Sequence, residues 1–202
     1  MVQIHALLLI GPTGAGKTPL GEEMEKRGIL GKKAHHFDFG ENLRKAAKNL
    51  LPLNHQERLL IQHILLEGRL LKPEEFFLAK NILSSFLEQR NFKPDHLLIL
   101  NGLPRNIYQA TALTSLIEIS YLVFLEVDLQ TLKIRLKKDP AGDRKGREDD
   151  HEAYLAKKLD WFQRETLPLI DFYEKRNTKI ITIKVNEEDT GQTLYKKLIT
   201  LI

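Results

Sequence analysis

Apolar residues gather in four short runs, Ile4 to Ile10, Leu97 to Leu100, Tyr121 to Val127 and Ile180 to Val185, separated by segments whose apolar positions recur at helical spacing. Runs of that length read as strands, and their alternation with helices predicts a parallel sheet wrapped on both faces. A weaker strand is predicted at Ala34 to Phe37. Ahead of the run at Leu97 lies a long helical stretch: Leu59, Leu60, Ile64 and Leu65, then Phe76, Ala79, Ile82, Leu83, Phe86 and Leu87, punctuated by Pro52 and Pro73. It reads as a helical subdomain inserted between two strands. The segment "DPAGDRKGREDD", from Asp139 to Asp150, is charged and contains glycine, and reads as a mobile loop. There is no internal repeat.

The 202 residues suit one α/β domain. The chain has no cysteine, which removes disulfides and thiolate metal sites, and its seven histidines do not fall at zinc-binding spacings. The first apolar run is too short to span a bilayer and has no basic leader, so a cytoplasmic protein with no membrane partner is expected. A net charge of +4 would suit a polyanion, but basic and acidic residues are interleaved. Small phosphorylated ligands account for the excess as well as nucleic acid does; no nucleic-acid partner and a monomer are expected.

In open parallel sheets, ligands gather beyond the carboxyl ends of the strands. There the chain places a glycine loop, then Asp38, "NGLPR", Glu126 with Asp128, and Asn186. The loop "GPTGAGKT" satisfies G-x-x-x-x-G-K-[ST] between a predicted strand and a predicted helix. Such a loop turns backbone N–H groups toward phosphate oxygens at a helix N-terminus. Gly11, Gly14, Ala15, Gly16, Lys17 and Thr18 are therefore expected to bind a nucleoside triphosphate, with Lys17 on the β and γ phosphates and Thr18 on magnesium. Pro19 removes an N–H that would help hold the α-phosphate, so weakened or re-aimed binding is expected.

Five fragments, in order and spacing, resemble the adenylate kinase family of nucleoside monophosphate kinases across nearly the whole chain. They are the loop, "GENLRKAAKN", "EGRLLKPEEF", "NGLPRNIYQA" and "GREDDHEAYLAKKLDWF". The resemblance implies a single P-loop kinase domain over 1–202, in three layers about a five-stranded parallel sheet. It also implies a helical monophosphate-binding subdomain at about 40–90 and a short lid at about 138–148. The implied reaction moves a phosphoryl group from magnesium ATP to a nucleoside monophosphate. By resemblance, Arg44 and Arg105 would hold the acceptor phosphate, Gln109 would read its base, and Arg147 would clamp the transferring group. Asp149 and Asp150 would anchor arginines on lid closure, and Asn186 would border the donor adenine. Arg135 and Arg144 are weaker sources of positive charge.

The chain also departs from the family pattern. Asn101 replaces an aspartate that fixes magnesium through water, so it brings hydrogen bonds without charge; Asp38 could compensate if it faces the loop, or could cap the next helix. Phe39 replaces a small hydroxyl residue at the acceptor base, where a ring can stack but cannot donate; a core role is the alternative. Lys158 replaces an arginine, a point charge for a planar fork, and a further arginine near Asp139 is absent. These changes leave three readings: a kinase for a nucleoside monophosphate, a nucleotide-binding regulator with little catalysis, and a kinase for another metabolite. Turnover separates the first two. His35 and His36 are read as structural or surface residues, and Trp161 as packing.

Overall fold

The computed structural model describes residues 3–140, 142 and 152–202, with the backbone alone for 152–154. Five strands form one parallel sheet in the order β2-β3-β1-β4-β5, with β1 at Ile4–Ile10, β2 at Ala34–Asp38, β3 at Leu97–Asn101, β4 at Ile117–Glu126 and β5 at Lys179–Lys184. Along β1, alternate side chains feed two separate cores. Ala6, Leu8 and Ile10 join Phe37, Leu98, Leu100 and Leu122 on one face. Leu7 and Leu9 join Ile99, Val123, Leu125, Ile181 and Ile183 on the other. Each layer of helices covers one of these faces.

The fourth strand begins earlier than the run at Tyr121 announces. Ala6 pairs with Ile119 but Leu7 pairs with Tyr121, so Ser120 is an extra residue in the ladder. The bulge shifts the parity of the side chains: Ile117 and Ile119 share a core with Leu122. A strict two-residue period cannot see such a strand start.

Helix α1 (Lys17–Arg27) and the last helix, α9 (Gly191–Ile199), lie on the Leu7 face, contributing Leu20, Met24, Leu194 and Leu198. The opposite face receives α2 (Phe39–Ala47), α3 (His55–Glu67) and α4 (Phe76–Gln89), as well as α5 (Ile107–Leu113) and α8 (Leu169–Glu174). Asn54 and Glu57 form a reciprocal cap that starts α3, and Gly68, at φ 58°, ends it. Pro73 opens a short 3₁₀ turn that leads into α4. Helices α6 (Leu129–Lys138) and α7 (Glu152–Trp161) flank the segment that holds Arg144, Arg147, Asp149 and Asp150, which lie outside the described residues. Among the described residues, no helix is long and apolar enough to cross a membrane.

The chain leaves β1 toward α1 on one face and leaves β3 toward α5 on the other. A crevice opens where neighbouring strands part in this way.

Candidate active site

That crevice is lined from the β1 side by Gly11, Gly14, Gly16, Lys17 and Thr18. Gly14 and Gly16 have φ of 87° and 100°, a region that favours glycine, and a side chain at Gly16 would also strike Leu194 at 2.8 Å. The loop can therefore bring bare backbone to a ligand. Ala15 is fully buried, its N–H donating to the Pro12 carbonyl at 3.2 Å. Lys17 Nζ reaches back to the carbonyls of Gly11 and Pro12 at 2.7 and 2.8 Å. Leu20 N–H, bonded to Gly16 O at 3.1 Å, makes the first regular helical bond. Pro19 thus occupies a first-turn position where a missing N–H costs the helix nothing.

At the ends of β2 and β3, Asp38 and Asn101 stand opposite each other in the ladder. Asp38 Oδ1 accepts from Glu41 N–H at 2.9 Å and so caps α2. Its Oδ2 accepts from the Thr18 hydroxyl at 2.7 Å and from Asn101 Nδ2 at 2.9 Å. Asn101 Nδ2 also lies 3.0 Å from Thr18 Oγ1. The carboxylate both caps the helix and faces the loop, which joins the two alternatives the sequence left open. Burial alone would raise its pKa. The Thr18 hydroxyl, the Glu41 amide, and the charges of His36 and Arg44 outweigh burial and hold it below the usual carboxylate value.

On the far wall, Arg44 comes from α2, Arg105 from the segment after β3, and Gln109 from α5. Asn106 starts α5 by accepting from Gln109 N–H at 2.9 Å. Gln109 is 1 % exposed, and its Oε1 accepts from Arg105 N–H at 2.8 Å. That bond fixes the amide with Nε2 as its remaining donor. Phe39 lines the crevice yet is 4 % exposed, its ring centroid 6.1 Å from that of Phe37. It therefore packs in the core as well as bordering the cleft.

Lys158 reaches the crevice from α7, and Phe162 and Thr166 from the π-helical turn that follows. In that turn Leu167 N–H reaches Phe162 O at 2.8 Å, and the Thr166 hydroxyl binds the Arg105 carbonyl at 2.9 Å. Asn186 lies outside the lining, on the loop after β5. Arg135 ties that loop to the phosphate loop. It is 2 % exposed; its Nε donates to Gly14 O at 3.1 Å, and its Nη1 lies 2.8, 3.2 and 2.8 Å from the carbonyls of Asn186, Glu187 and Asp189.

Sequence reasoning gave no role to Arg69. Its guanidinium grips the Glu75 carboxylate through two bonds of 2.6 and 2.7 Å, and also donates to Glu67 at 2.5 Å, which fixes the Leu70 and Leu71 wall of the crevice. The signal was present as an arginine spaced between the acids of "EGRLLKPEE". His35 and His36 are buried and structural. His35 Nε2 is 2.9 Å from His96 Nδ1, and the His36 ring fills space where a Cβ at Gly21 would sit 2.3 Å away.

Phosphoryl transfer asks for position and positive charge around the transferring group. A bare glycine loop facing two arginines across one crevice supplies both, and defines a P-loop phosphotransferase of the nucleotide-binding α/β class. Known proteins narrow that class. A sequence model of the adenylate kinase family matches residues 9–178. The adenylate kinase of Bacteroides thetaiotaomicron is 33% identical over 174 residues, covering 83% of this chain and 84% of its own. That of a Cyanothece species is 31% identical over 196 residues, covering 93% and 90%. A solved sugar kinase from a Janibacter species superposes with a TM-score of 0.52 at 14% identity, over 98% of this chain and 94% of its own, and so shares the fold. The chain belongs to the adenylate kinase family. It is a nucleoside monophosphate kinase, and its reaction is phosphoryl transfer from ATP to a nucleoside monophosphate.

Proposed function

We propose that Lys17 and the loop amides hold the donor phosphates while Arg44 and Arg105 hold the acceptor phosphate opposite them, within the single domain 1–202. In this reading the helical insertion, about 40–90, seats the acceptor. Arg147 and Lys158 add charge from the short lid, about 138–148, and from the helix after it. The observation that carries the reading is the shared crevice: Lys17, Thr18, Arg44, Arg105, Gln109 and Lys158 all line it. Asn186 borders the donor base by way of the loop that Arg135 holds. All of these residues come from one chain, so the reading requires no second subunit and a monomer is proposed.

The residues fit a magnesium ion, because a hydroxyl, a carboxylate and an amide meet at the mouth of the loop and hard cations take oxygen donors. Thr18 would hold it, with Asn101 reaching it through water. Bound there, magnesium would neutralise charge on the donor phosphates. The protein's own part is alignment. Lys17 leaves the Gly11 and Pro12 carbonyls for phosphate oxygens, and the planar forks of Arg44 and Arg105 hold the acceptor in line.

Gln109 bears on which base is read. With Oε1 taken by Arg105 N–H, its Nε2 offers a donor, which matches adenine N1 or cytosine N3 and mismatches guanine N1–H and uracil N3–H. The reading is tested by incubating the protein with magnesium ATP and each common nucleoside monophosphate, and measuring diphosphate formation against Lys17→Ala. Lysine-dependent turnover with AMP or CMP, and at least about tenfold less with GMP or UMP, is expected. Equal turnover with all four would remove Gln109 as the reader. No turnover with any would remove the assignment of acceptor roles.

A further inference from the structure

The rung that joins β2 to β3 carries its negative charge on the unexpected strand. Asn101 ends β3 with a neutral amide, and its partner across the ladder, Asp38, ends β2 with a carboxylate. Asp38 is 9% exposed, and no ion pair to it occurs among the described residues. Its direct partners are a hydroxyl, a backbone N–H and an amide. Those donors, with the charges of His36 and Arg44 nearby, keep the carboxylate ionised, so a fixed negative charge stands at the mouth of the loop where a cation can meet it.

Thr18 indicates which cation. A hydroxyl has one proton and two lone pairs, and the Thr18 proton is committed to Asp38 Oδ2 at 2.7 Å. One lone pair of its oxygen accepts from Asn101 Nδ2 at 3.0 Å, and the other is left for a hard cation. Asn101 cannot take over this task as it stands, because its Nδ2 faces both Thr18 and Asp38. Rotating the amide would set its oxygen against the carboxylate.

We propose that Asp38 supplies the negative charge of the divalent-cation site, orienting the Thr18 hydroxyl as a ligand and balancing the ion's charge from β2. The acidic duty has crossed one ladder rung, and Asn101 has become the group that holds Asp38 in place. The proposal rests on the kinase reading for the presence of a metal–nucleotide complex, but its test does not depend on turnover.

Manganese(II) serves as the probe: its binding to the protein–ADP complex is titrated by the electron paramagnetic resonance signal of the free ion. The proteins compared are the parent, Asp38→Asn, Asn101→Asp, and the exchange variant carrying both. Asparagine caps helices as well as aspartate does, so Asp38→Asn keeps the start of α2. Asp38→Asn is expected to weaken manganese binding about tenfold or more, the usual scale for losing an orienting carboxylate, while ADP affinity without metal stays within about twofold. The exchange variant is expected to recover to within about threefold of the parent. Manganese affinity unchanged in Asp38→Asn would overturn the proposal. So would equal loss of ADP with and without metal, or an exchange variant no better than Asp38→Asn. If the parent binds manganese and ADP as expected yet phosphorylates no monophosphate, the kinase reading fails and the metal assignment stands.

Discussion

Lys17 donates to the carbonyls of Gly11 and Pro12, which satisfies its ammonium within the loop. Those carbonyls are neutral, whereas triphosphate oxygens are charged, so the ammonium gains a stronger partner when the donor arrives. Lys17→Ala should lower turnover by roughly 10²–10³, with the unfolding midpoint nearly unchanged, as steady-state rates and urea melts would show. Two residues away, Pro19 leaves its end of the loop one N–H short. Pro19→Ala restores that donor without added volume and should tighten ATP by about five- to tenfold, measured by equilibrium titration. At this scale much of the candidate site was legible: Gly11, Gly14, Gly16, Lys17, Thr18, Arg44, Arg105, Gln109 and Lys158 all line one crevice, and each announced itself through a motif; Ala15, from the same loop, is buried instead. Arg69 did not, because its role comes from a carboxylate six residues away that only a folded turn brings within 2.7 Å. Phe39 stayed ambiguous for a related reason. A ring that borders a cleft and fills a core has the same letter in the sequence either way.

Arg135 works between elements, and its burial looks anomalous until its partners are counted as backbone. Carbonyls from the phosphate loop and from the loop after β5 converge on one guanidinium, so a side chain of α6 ties the two loops together. Arg135→Met fills a similar volume but strands those acceptors. It should cost roughly 2–4 kcal/mol in urea unfolding and weaken donor binding, since Gly14 and the Asn186 loop lose their common anchor. The other elements were readable to differing degrees. Helices α3 and α4 follow from apolar spacing with Pro52 and Pro73 as punctuation, while the ends that Asn54 and Gly68 set for α3 emerge only in the fold. The start of β4 was hidden by Ser120, and the π-helical turn at Phe162–Thr166 leaves no trace in a 3.6-residue period. It matters because Thr166 holds the Arg105 carbonyl from that turn.

For the molecule as a whole, acid is the expected weakness. Burial lowers the pKa of His36 and, together with His96 and Lys33, that of His35, from an ordinary value of 6.5. A histidine whose folded pKa is depressed adds stability above 6.5 that is lost as pH falls below it, because the unfolded chain then binds the proton more readily. Asp38 and Asp189 are depressed from 3.8 and act in the same sense at lower pH. Unfolding free energy should be level from pH 7 to 8, fall below about 6.5 by up to ~1.4 kcal/mol per unit per histidine, and fall again below about 4. Urea midpoints across that range provide the check. The sheet itself was legible because buried strands must be apolar, but the order β2-β3-β1-β4-β5 depends on how layers pack and has no local signature. The two faces of that sheet also differ in reach. Ile61 and Ile64 of α3 and Ile82 and Phe86 of α4 share one apolar cluster with Phe37, Leu98 and Leu100, and the Phe37 and Phe86 rings meet edge-on at 5.1 Å. Among the described residues, these two helices share their buried apolar cluster with the sheet. Their amides should therefore exchange with solvent deuterium only at the rate set by opening of the entire sheet, and the chain should melt as a single cooperative body.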